Sequence, residues 1–458
     1  MRAIPSLKIS ISGVRGVVGE SLTPALLTRF AQAFGTYIGG GRVVIGRDTR
    51  TSGEMVAQAT IAGLVSSGCR IVDLGVCPTP TVQLLVRTLG ARGGVAITAS
   101  HNPSEWNALK FIGGDGLFLS AASGRELLDI YHQGDYTKVA GTEMRPVERR
   151  DVLDVHVAAV IAALGPLPAS GPRLRVALDA CNGAGSIVGP QLLAALGADV
   201  VTINVTPDGS FPRPAEPTPE ALAQLSAAVR AHGCDIGFAQ DMDADRLAVV
   251  SELGEPIGEE LTLVLAMQQV LSKTPGPVVA NLASTHALDD VAARFGVTVT
   301  RSRVGEANVT EVMRRVGAVI GGEGNGGVIY PRINFARDSL VGMGLILHRL
   351  AAAGRPLSAL VGEIPVRAMI KQQLTCPSPR IAMVLQQARA EFAGMPIDLR
   401  DGVKVTTPDG WFLLRGSNTE PIMRLIVESP TPESAARLAD RVRARFTEWA
   451  AGRTPSSA

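Results

Sequence analysis

The stretch Asp241-Met242-Asp243-Ala244-Asp245-Arg246 sets three carboxylates on alternate residues between two apolar runs, Ile236-Gly237-Phe238 and Leu247–Val250. On an extended or tightly turned backbone this spacing aims all three at one point, a hard-oxygen site suited to Mg²⁺ rather than to a soft metal. Three acids wedged between strands without a cation would repel one another, so a solvated acidic surface is the poorer reading. Glu252 stands where an EF-hand calcium loop has its twelfth residue, but Arg246 fills the sixth place, where that loop needs Gly, and the flanks read as strands. A second loaded stretch, Thr98-Ala99-Ser100-His101-Asn102-Pro103, follows the apolar run Gly94–Ile97. The Asn-Pro pair turns the chain and leaves the Ser100 hydroxyl reachable. A serine on such a turn is ordinarily a cap or turn former, and only its company gives it chemistry.

That company includes two more loops. Gly321-Gly322-Glu323-Gly324-Asn325-Gly326-Gly327 surrounds one acid and one amide with glycines that can let a polyol approach closely, or a phosphate almost as well. It is not a Walker A loop, because no Gly-Lys-Ser/Thr follows. Arg415-Gly416-Ser417-Asn418-Thr419-Glu420-Pro421, with Arg424 just beyond, crowds donors onto a turn between strands, a composition that suits a phosphate. Lys110 lies ten residues after Ser100, and Arg15 sits in the turn Ser12-Gly13-Val14-Arg15-Gly16. A Ser-His-Asp hydrolase fits poorly: Ser100 is in no Gly-x-Ser-x-Gly elbow, and His101, its immediate neighbour, is awkwardly placed for a direct bond to it. One serine, one triple-Asp metal site, one sugar-like loop and one phosphate-like loop point to phosphoryl transfer through a phosphoserine.

Positioning four such loops needs four units, and the chain repeats. Strands at Arg42–Ile45, Arg175–Leu178 and Pro277–Ala280 are each followed by an Ala/Leu-rich helix, at Met55–Ser66, Ile187–Leu196 and Ala287–Phe295. Each helix stops at a glycine, Gly68, Gly197 or Gly296, in the manner of a C′ residue. A second strand follows (Arg70–Leu74, Asp199–Val205, Val297–Arg301), and then a third apolar strand that delivers Ser100, Asp241 or Glu323. Crossovers of this length imply partly parallel α/β sheets, which gather ligands at the carboxyl ends of their strands. The expected organisation is three repeated mixed-sheet α/β domains (1–149, 150–254 and 255–365) and a C-terminal α+β domain (366–458), around a central cleft. The last is read as a strand pair, Trp411–Leu414 and Met423–Val427, one amphipathic helix over Ser434–Trp449 and a frayed tail, Gly452–Ala458. A net charge of only +2 excludes a dedicated nucleic-acid binder. Five scattered cysteines without a CxxC pair fit a reducing cytoplasm better than disulfides or structural zinc, and no run is long enough to span a bilayer.

Together Thr98–Pro103, Asp241–Arg246, Gly322–Gly327 and Arg415–Pro421 resemble, in order and spacing, the signature loops of the α-D-phosphohexomutase superfamily: phosphoglucomutases, phosphomannomutases and phosphoglucosamine mutases. The resemblance covers essentially the whole chain. It implies an isomerase that interconverts hexose 1-phosphate and hexose 6-phosphate through a phosphoserine and a hexose 1,6-bisphosphate that turns around between two transfers. It implies Ser100 as phosphoryl carrier and, with Asp241, Asp243 and Asp245, as magnesium ligand. Lys110 is similar to the family's acid/base lysine, and Arg15 and Arg246 would stabilise the group in transfer, with His101 beside the nucleophile. Glu323 and Asn325 would read sugar hydroxyls, while Arg415, Ser417, Asn418, Thr419 and Arg424 would hold the non-reacting phosphate. Many members have Ser at the position of Asn325 and His at that of Gly327; the Gly-Glu-x-Asn-Gly-Gly form is of the archaeal type. The Pro207-Asp208-Gly209-Ser210-Phe211-Pro212 segment resembles the phosphomannomutase/phosphoglucomutase pattern. The expected partner is a small sugar phosphate, with no nucleic acid or membrane, for a cytoplasmic monomer or homodimer. A phosphoserine-dependent sugar-phosphate phosphatase and a non-catalytic sugar-phosphate sensor are the alternatives.

Overall fold

Short Val/Ile/Ala-rich runs with no polar face are stable only when covered on both sides, and in the computed structural model they form the centres of three helix-covered sheets. The structure describes residues 6–10, 13–168, 173–416 and 422–451. In the first sheet the strands Cys69–Val76, Gly41–Arg47 and Gly93–Ile97 run parallel. Trp106–Gly113 then pairs antiparallel with Gly93–Ile97 on one side and with Gly13–Val17 on the other. The second sheet repeats the plan with Asp199–Ile203, Arg175–Asp179 and Ile236–Gln240 parallel, closed by antiparallel Leu247–Ser251. The third repeats it with Val299–Ser302, Val278–Asn281 and Ile320–Glu323, closed by Gly327–Ile329.

The mixed sheets expected from the sequence owe their antiparallel member to a return strand, and it explains the loops. Each loaded loop is the turn between the carboxyl end of a parallel strand and its antiparallel partner, so the three loops share one environment. The repeat helices are Gly53–Ser66, Gly185–Leu196 and Ala287–Ala293, slightly offset from the expected bounds. Gly197 ends the second at φ +95°, a left-handed conformation that favours glycine.

The fourth sheet is wholly antiparallel, in the order Ala368–Thr375, Ile422–Ser429, Gly410–Gly416, Val403–Thr407, Ile397–Asp398. Two helices cover it: Pro432–Ala450, begun by Thr431 with its hydroxyl on the Ser434 N–H, and Ser378–Glu391, which the sequence reading lacked. Ser12 and Gly452–Ala458 lie outside the described residues. The architecture is thus three mixed-sheet α/β domains and an α+β domain. Among the described residues no helix is long and apolar enough to cross a membrane.

Candidate active site

The carboxylate loop leaves the strand Ile236–Gln240 and turns through Ala244, whose φ is +55°. Asp241 folds the loop back on itself, its Oδ1 accepting the N–H groups of Asp245 (3.1 Å) and Arg246 (3.2 Å). Asp241, Asp243 and Asp245 are buried, and each brings one carboxylate oxygen to within 4.8 Å of the others. Side-chain donors occupy one oxygen of each. Ser100 Oγ donates to Asp241 Oδ2 (3.0 Å), Lys110 Nζ (2.7 Å) and Thr79 Oγ1 (2.9 Å) to Asp243 Oδ2, and Arg337 Nη2 to Asp245 Oδ2 (2.5 Å). Asp243 Oδ1 and Asp245 Oδ1 are buried with no hydrogen-bond partner. Burial, then the neighbouring Asp245 and Asp243 charges, pushes Asp241 well above the usual carboxylate range. Burial opposes ionisation of Asp243 as well, but the charge and hydrogen bond of Lys110 outweigh it and hold that carboxyl below its ordinary value. Orphaned buried oxygens beside like charges are costly, and this all-oxygen set fits a hard divalent cation.

Ser100 reaches the carboxylates from the first sheet with a left-handed backbone, φ +50°, a strain held in place by its surroundings. Its N–H donates to Thr98 Oγ1 (2.9 Å), and Thr98 donates to Asp48 Oδ2 (2.7 Å). Asp48 is paired with Arg50 (3.0 Å), whose guanidinium donates to the carbonyls of Ser100 (2.7 Å), Asn102 (2.7 Å) and Trp106 (3.0 Å). Arg50, fully buried and stacked 5.1 Å from the Phe211 ring, is the scaffold of the serine loop. Sequence reasoning missed it, although Asp48 and Arg50 stand just past the strand Gly41–Arg47 in the first repeat. His101 Nδ1 lies 3.4 Å from Ser100 Oγ, a contact the sequence argument disfavoured and too long for a strong hydroxyl bond. Burial, then the Arg246 and Arg15 charges, pulls His101 down to about 2, so its imidazole is neutral at physiological pH. Arg15 Nη1 donates to Asn102 Oδ1 (2.6 Å). Arg246 pairs with Glu216 (2.9 Å), and its Nε lies 3.8 Å from Asp245.

Glu323 ends the third parallel strand. Its Oε1 accepts from Asn281 Nδ2 (2.8 Å) and the Gly305 N–H (2.7 Å), and its Oε2 from Arg337 Nη1 (2.8 Å). Burial works against its charge, but Arg337 and these donors keep it below the usual range. Asn325 Oδ1 accepts the Gly327 N–H (3.3 Å). One of the loop's glycines makes room for the protein itself. A Cβ on Gly324 would fall 2.0 Å from Glu260 Oε2, so the missing side chain there admits a protein carboxylate. Lys371 of the fourth sheet grips the same spot, donating to Glu259 (2.6 Å), Glu260 (2.7 Å) and the Gly324 carbonyl (3.1 Å). Glu306, also missed, pairs with Arg337 (3.1 Å) and Gln83 (3.0 Å), and burial pushes it up to about 7 against the pull of Arg337.

Arg415 and Arg424 face each other across adjacent strands of the fourth sheet, and Arg415 Nε lies 3.2 Å from Asp401. Like charges directly opposite are destabilising unless an anion joins them. Ser417, Asn418 and Thr419 lie outside the described residues. The structure brings Arg15, Ser100, His101, Lys110, Arg246, Glu323, Asn325, Arg415 and Arg424 to the wall of one cavity of about 1510 Å³, shared by all four domains. The three aspartates lie buried beside Ser100.

Four domain families match successive stretches of the chain: phosphoglucomutase/phosphomannomutase α/β/α domain I over residues 7–138, domain II over 156–254, domain III over 258–367 and the C-terminal domain over 370–445. A probable phosphoglucosamine mutase of Methanopyrus kandleri is 40% identical over 94% of this chain and 95% of its own length. A phosphoglucomutase/phosphomannomutase of Thermococcus kodakarensis is 37% identical over 92% and 94%. The crystal structure of a phosphoglucomutase/phosphomannomutase family protein from Burkholderia thailandensis superposes with a TM-score of 0.86 at 28% identity, covering 98% of each chain.

Proposed function

Since the chain belongs to the phosphoglucomutase/phosphomannomutase family, within the α-D-phosphohexomutase superfamily, and is therefore an isomerase of sugar phosphates, we propose that Ser100 is its phosphoryl carrier and that the cleft holds a hexose phosphate between Ser100 and the paired arginines. The observation that carries this reading is the hydrogen bond from Ser100 Oγ to Asp241, at the wall of a cavity that Arg415 and Arg424 also line. Phosphorylated Ser100 would give its phosphoryl group to a hydroxyl of the bound sugar phosphate. The new O–P bond forms as the Ser100 Oγ–P bond breaks; the Lys110 ammonium gives a proton to the departing Ser100 Oγ and takes the hydroxyl proton in its place. The resulting hexose 1,6-bisphosphate turns around. Its other phosphoryl group then returns to Ser100 by the reverse exchange, Lys110 giving a proton to the freed sugar oxygen and taking that of the Ser100 hydroxyl. Arg15 and Arg246 flank the group in transfer, and His101, held neutral, is a neighbour rather than an acid. Glu323 and Asn325 read sugar hydroxyls. Arg415, Arg424, Ser417, Asn418 and Thr419 hold the idle phosphate. A Mg²⁺ held by Asp241, Asp243, Asp245 and the phosphoserine would neutralise phosphoryl oxygens. Closing the cleft keeps water from the phosphoserine, which hydrolysis would waste.

The test is incubation with Mg²⁺, a trace of glucose 1,6-bisphosphate and, in turn, glucose, mannose, glucosamine and N-acetylglucosamine 1-phosphates. Formation of the 6-phosphate without inorganic phosphate is expected, and relative kcat/KM assigns the sugar. Phosphate release in step with substrate loss would instead make the protein a phosphatase. Binding without label reaching Ser100 would make it a sensor.

A further inference from the structure

Gly327 begins the return strand of the third sheet. A Cβ there would lie 2.4 Å from Cδ and 2.9 Å from Cγ of Arg337, and 3.1 Å from Asn325 Oδ1. The missing side chain is therefore what lets Arg337 cross the sugar-reading loop. From that position the guanidinium, nearly buried, forks to three carboxylates on three different segments. Nη2 reaches Asp245 Oδ2 (2.5 Å), Nε reaches Glu306 Oε2 (3.1 Å) and Nη1 reaches Glu323 Oε2 (2.8 Å). A planar fork can satisfy such an arrangement; an ammonium cannot.

Arg337 takes one oxygen of Asp245 and leaves the other, Oδ1, buried without a hydrogen-bond partner, 3.8 Å from Arg246 Nε. Lys110 and Thr79 treat Asp243 in the same way. A carboxylate so engaged offers a cation one oxygen rather than two. That matters for selectivity, because Mg²⁺ demands near-octahedral geometry whereas Ca²⁺ takes six to eight oxygens and accepts carboxylates bidentately. We infer that Arg337 is a positioning residue which restricts Asp245 to a single metal-facing oxygen and at the same time fixes Glu323 on the sugar side of the cleft, in room provided by Gly327. This rests on the metal and sugar roles proposed above.

The test uses the full chain and two variants that approach the same contact from opposite sides. Arg337→Lys keeps the charge and loses the fork. Gly327→Ala keeps Arg337 and pushes it away. Calorimetric titration with Mg²⁺ and with Ca²⁺ gives a ratio of affinities in which the shared divalent charge cancels. Both variants are expected to shift that ratio toward Ca²⁺ by about tenfold, the scale seen when the partner of a metal ligand is lost. Both also raise KM for whichever of glucose, mannose or glucosamine 1-phosphate the wild type converts fastest. The double variant is no worse than the singles, because one contact is lost once. An unchanged ratio and KM in both variants, with only a lowered Tm, overturns the inference and leaves Arg337 a structural ion-pair hub. The ratio is read without turnover: a wild type that converts no sugar phosphate while its variants still shift the ratio sinks the functional reading and supports the hold of Arg337 on Asp245.

Discussion

The junction that seats Ser100 on the carboxylate loop and the seam that seats the fourth sheet on the third both cross domain borders, yet they are made of different material. At the junction Thr49 Oγ1 donates to the Asn182 carbonyl (2.8 Å), Thr79 to Asp243 (2.9 Å) and Ser100 to Asp241 (3.0 Å), all buried. Behind it the second and third sheets share one apolar core, in which Leu178 and Phe238 pack in the same cluster as Val278, Ile320, Leu345 and Leu347. At the seam the apolar part is a small cluster of Leu282, Trp411, Leu413 and Ile426 with Ala283 and Met369. Polar links add to it, most with exposed or half-buried partners: Lys371 to Glu259 and Glu260, Arg367 to Asp290 and the Val304 N–H to Asp401. Beside them lie the buried contact of Lys404 with the Leu282 carbonyl and that of the His286 N–H with the buried Glu428. Ion pairs with partly exposed partners contribute ~0–1 kcal/mol each, while burying one large apolar side chain contributes ~1.5–3 kcal/mol. The transfer centre is therefore welded and the phosphate-holding domain is docked. A domain on a polar seam can rock, which suits a bisphosphate that must be loosened enough to turn around while water is kept out.

Breaking the weld at its chemical point has the largest effect. Ser100→Ala removes the carrier, so net conversion falls to background and label from glucose 1,6-bisphosphate no longer attaches to the protein. Retained conversion in that variant would end the phosphoserine mechanism. Asp243→Asn comes next. It loses one carboxylate charge from the triad and the ionic partner of Lys110, and the rate should fall at least ~10²–10³-fold, the scale of losing one electrostatic stabiliser. Magnesium affinity, measured alongside by calorimetry, falls with it; full magnesium binding at reduced rate would move the fault to Lys110.

Changes on the docked side act on binding instead. Arg424→Gln removes the more exposed member of the opposed arginine pair. A charged hydrogen bond contributes ~1.5–3 kcal/mol, so KM rises about ten- to a hundredfold with kcat little changed. Because the two guanidiniums face each other with the Asp401 carboxylate beside Arg415, Tm should hold or rise when Arg424 is replaced. A fall in Tm without a change in KM would mark the pair as structural.

The contrast between weld and dock also divides what could be read from the sequence. Ser100, Asp241, Glu323 and the repeated units were legible because they lie at strand ends, where a short continuous apolar run stops at a polar residue. The groups that aim them were not. Arg50, Arg337 and Lys371 act on residues 48–106, 245–323 and 259–324 respectively, and no local periodicity encodes a pairing across such separations. The glycine-rich loop was read for what it could admit, but its guests proved to be Glu260 and Arg337, side chains of the protein itself. Leu247–Val250 was legible as a strand of a mixed sheet but its direction was not, since a buried run reads the same whether parallel or antiparallel.

The smallest effect on turnover is expected at Lys404, inside the seam. Its Nζ donates to the Leu282 carbonyl (2.8 Å), lies 3.2 Å from His286 Nε2 and sits 3.7 Å over the Trp411 ring, whose Nε1 donates to Glu428. Burial, then the charge of Arg301, pulls the amine from 10.5 down to about 7, against the attraction of Glu428, Asp289 and Asp398. Burial, then Lys404 itself, takes His286 down to about 3, so that imidazole stays neutral throughout the range that matters. A folded pKa below the unfolded one means that the folded state binds this proton less readily. The stability the group contributes is whole above about pH 10.5, drains away as pH falls through about 7 and is flat below. Lys404→Met deletes the slope. Between pH 10 and pH 7 the variant should therefore gain on the wild type by up to a few kcal/mol, read as a widening gap between their thermal melting curves, with turnover little changed. Curves that stay parallel would mean that the amine keeps its proton in the fold, held by the Trp411 face and Glu428, and the seam would then be tied by a buried ion in the manner of the junction at Asp243.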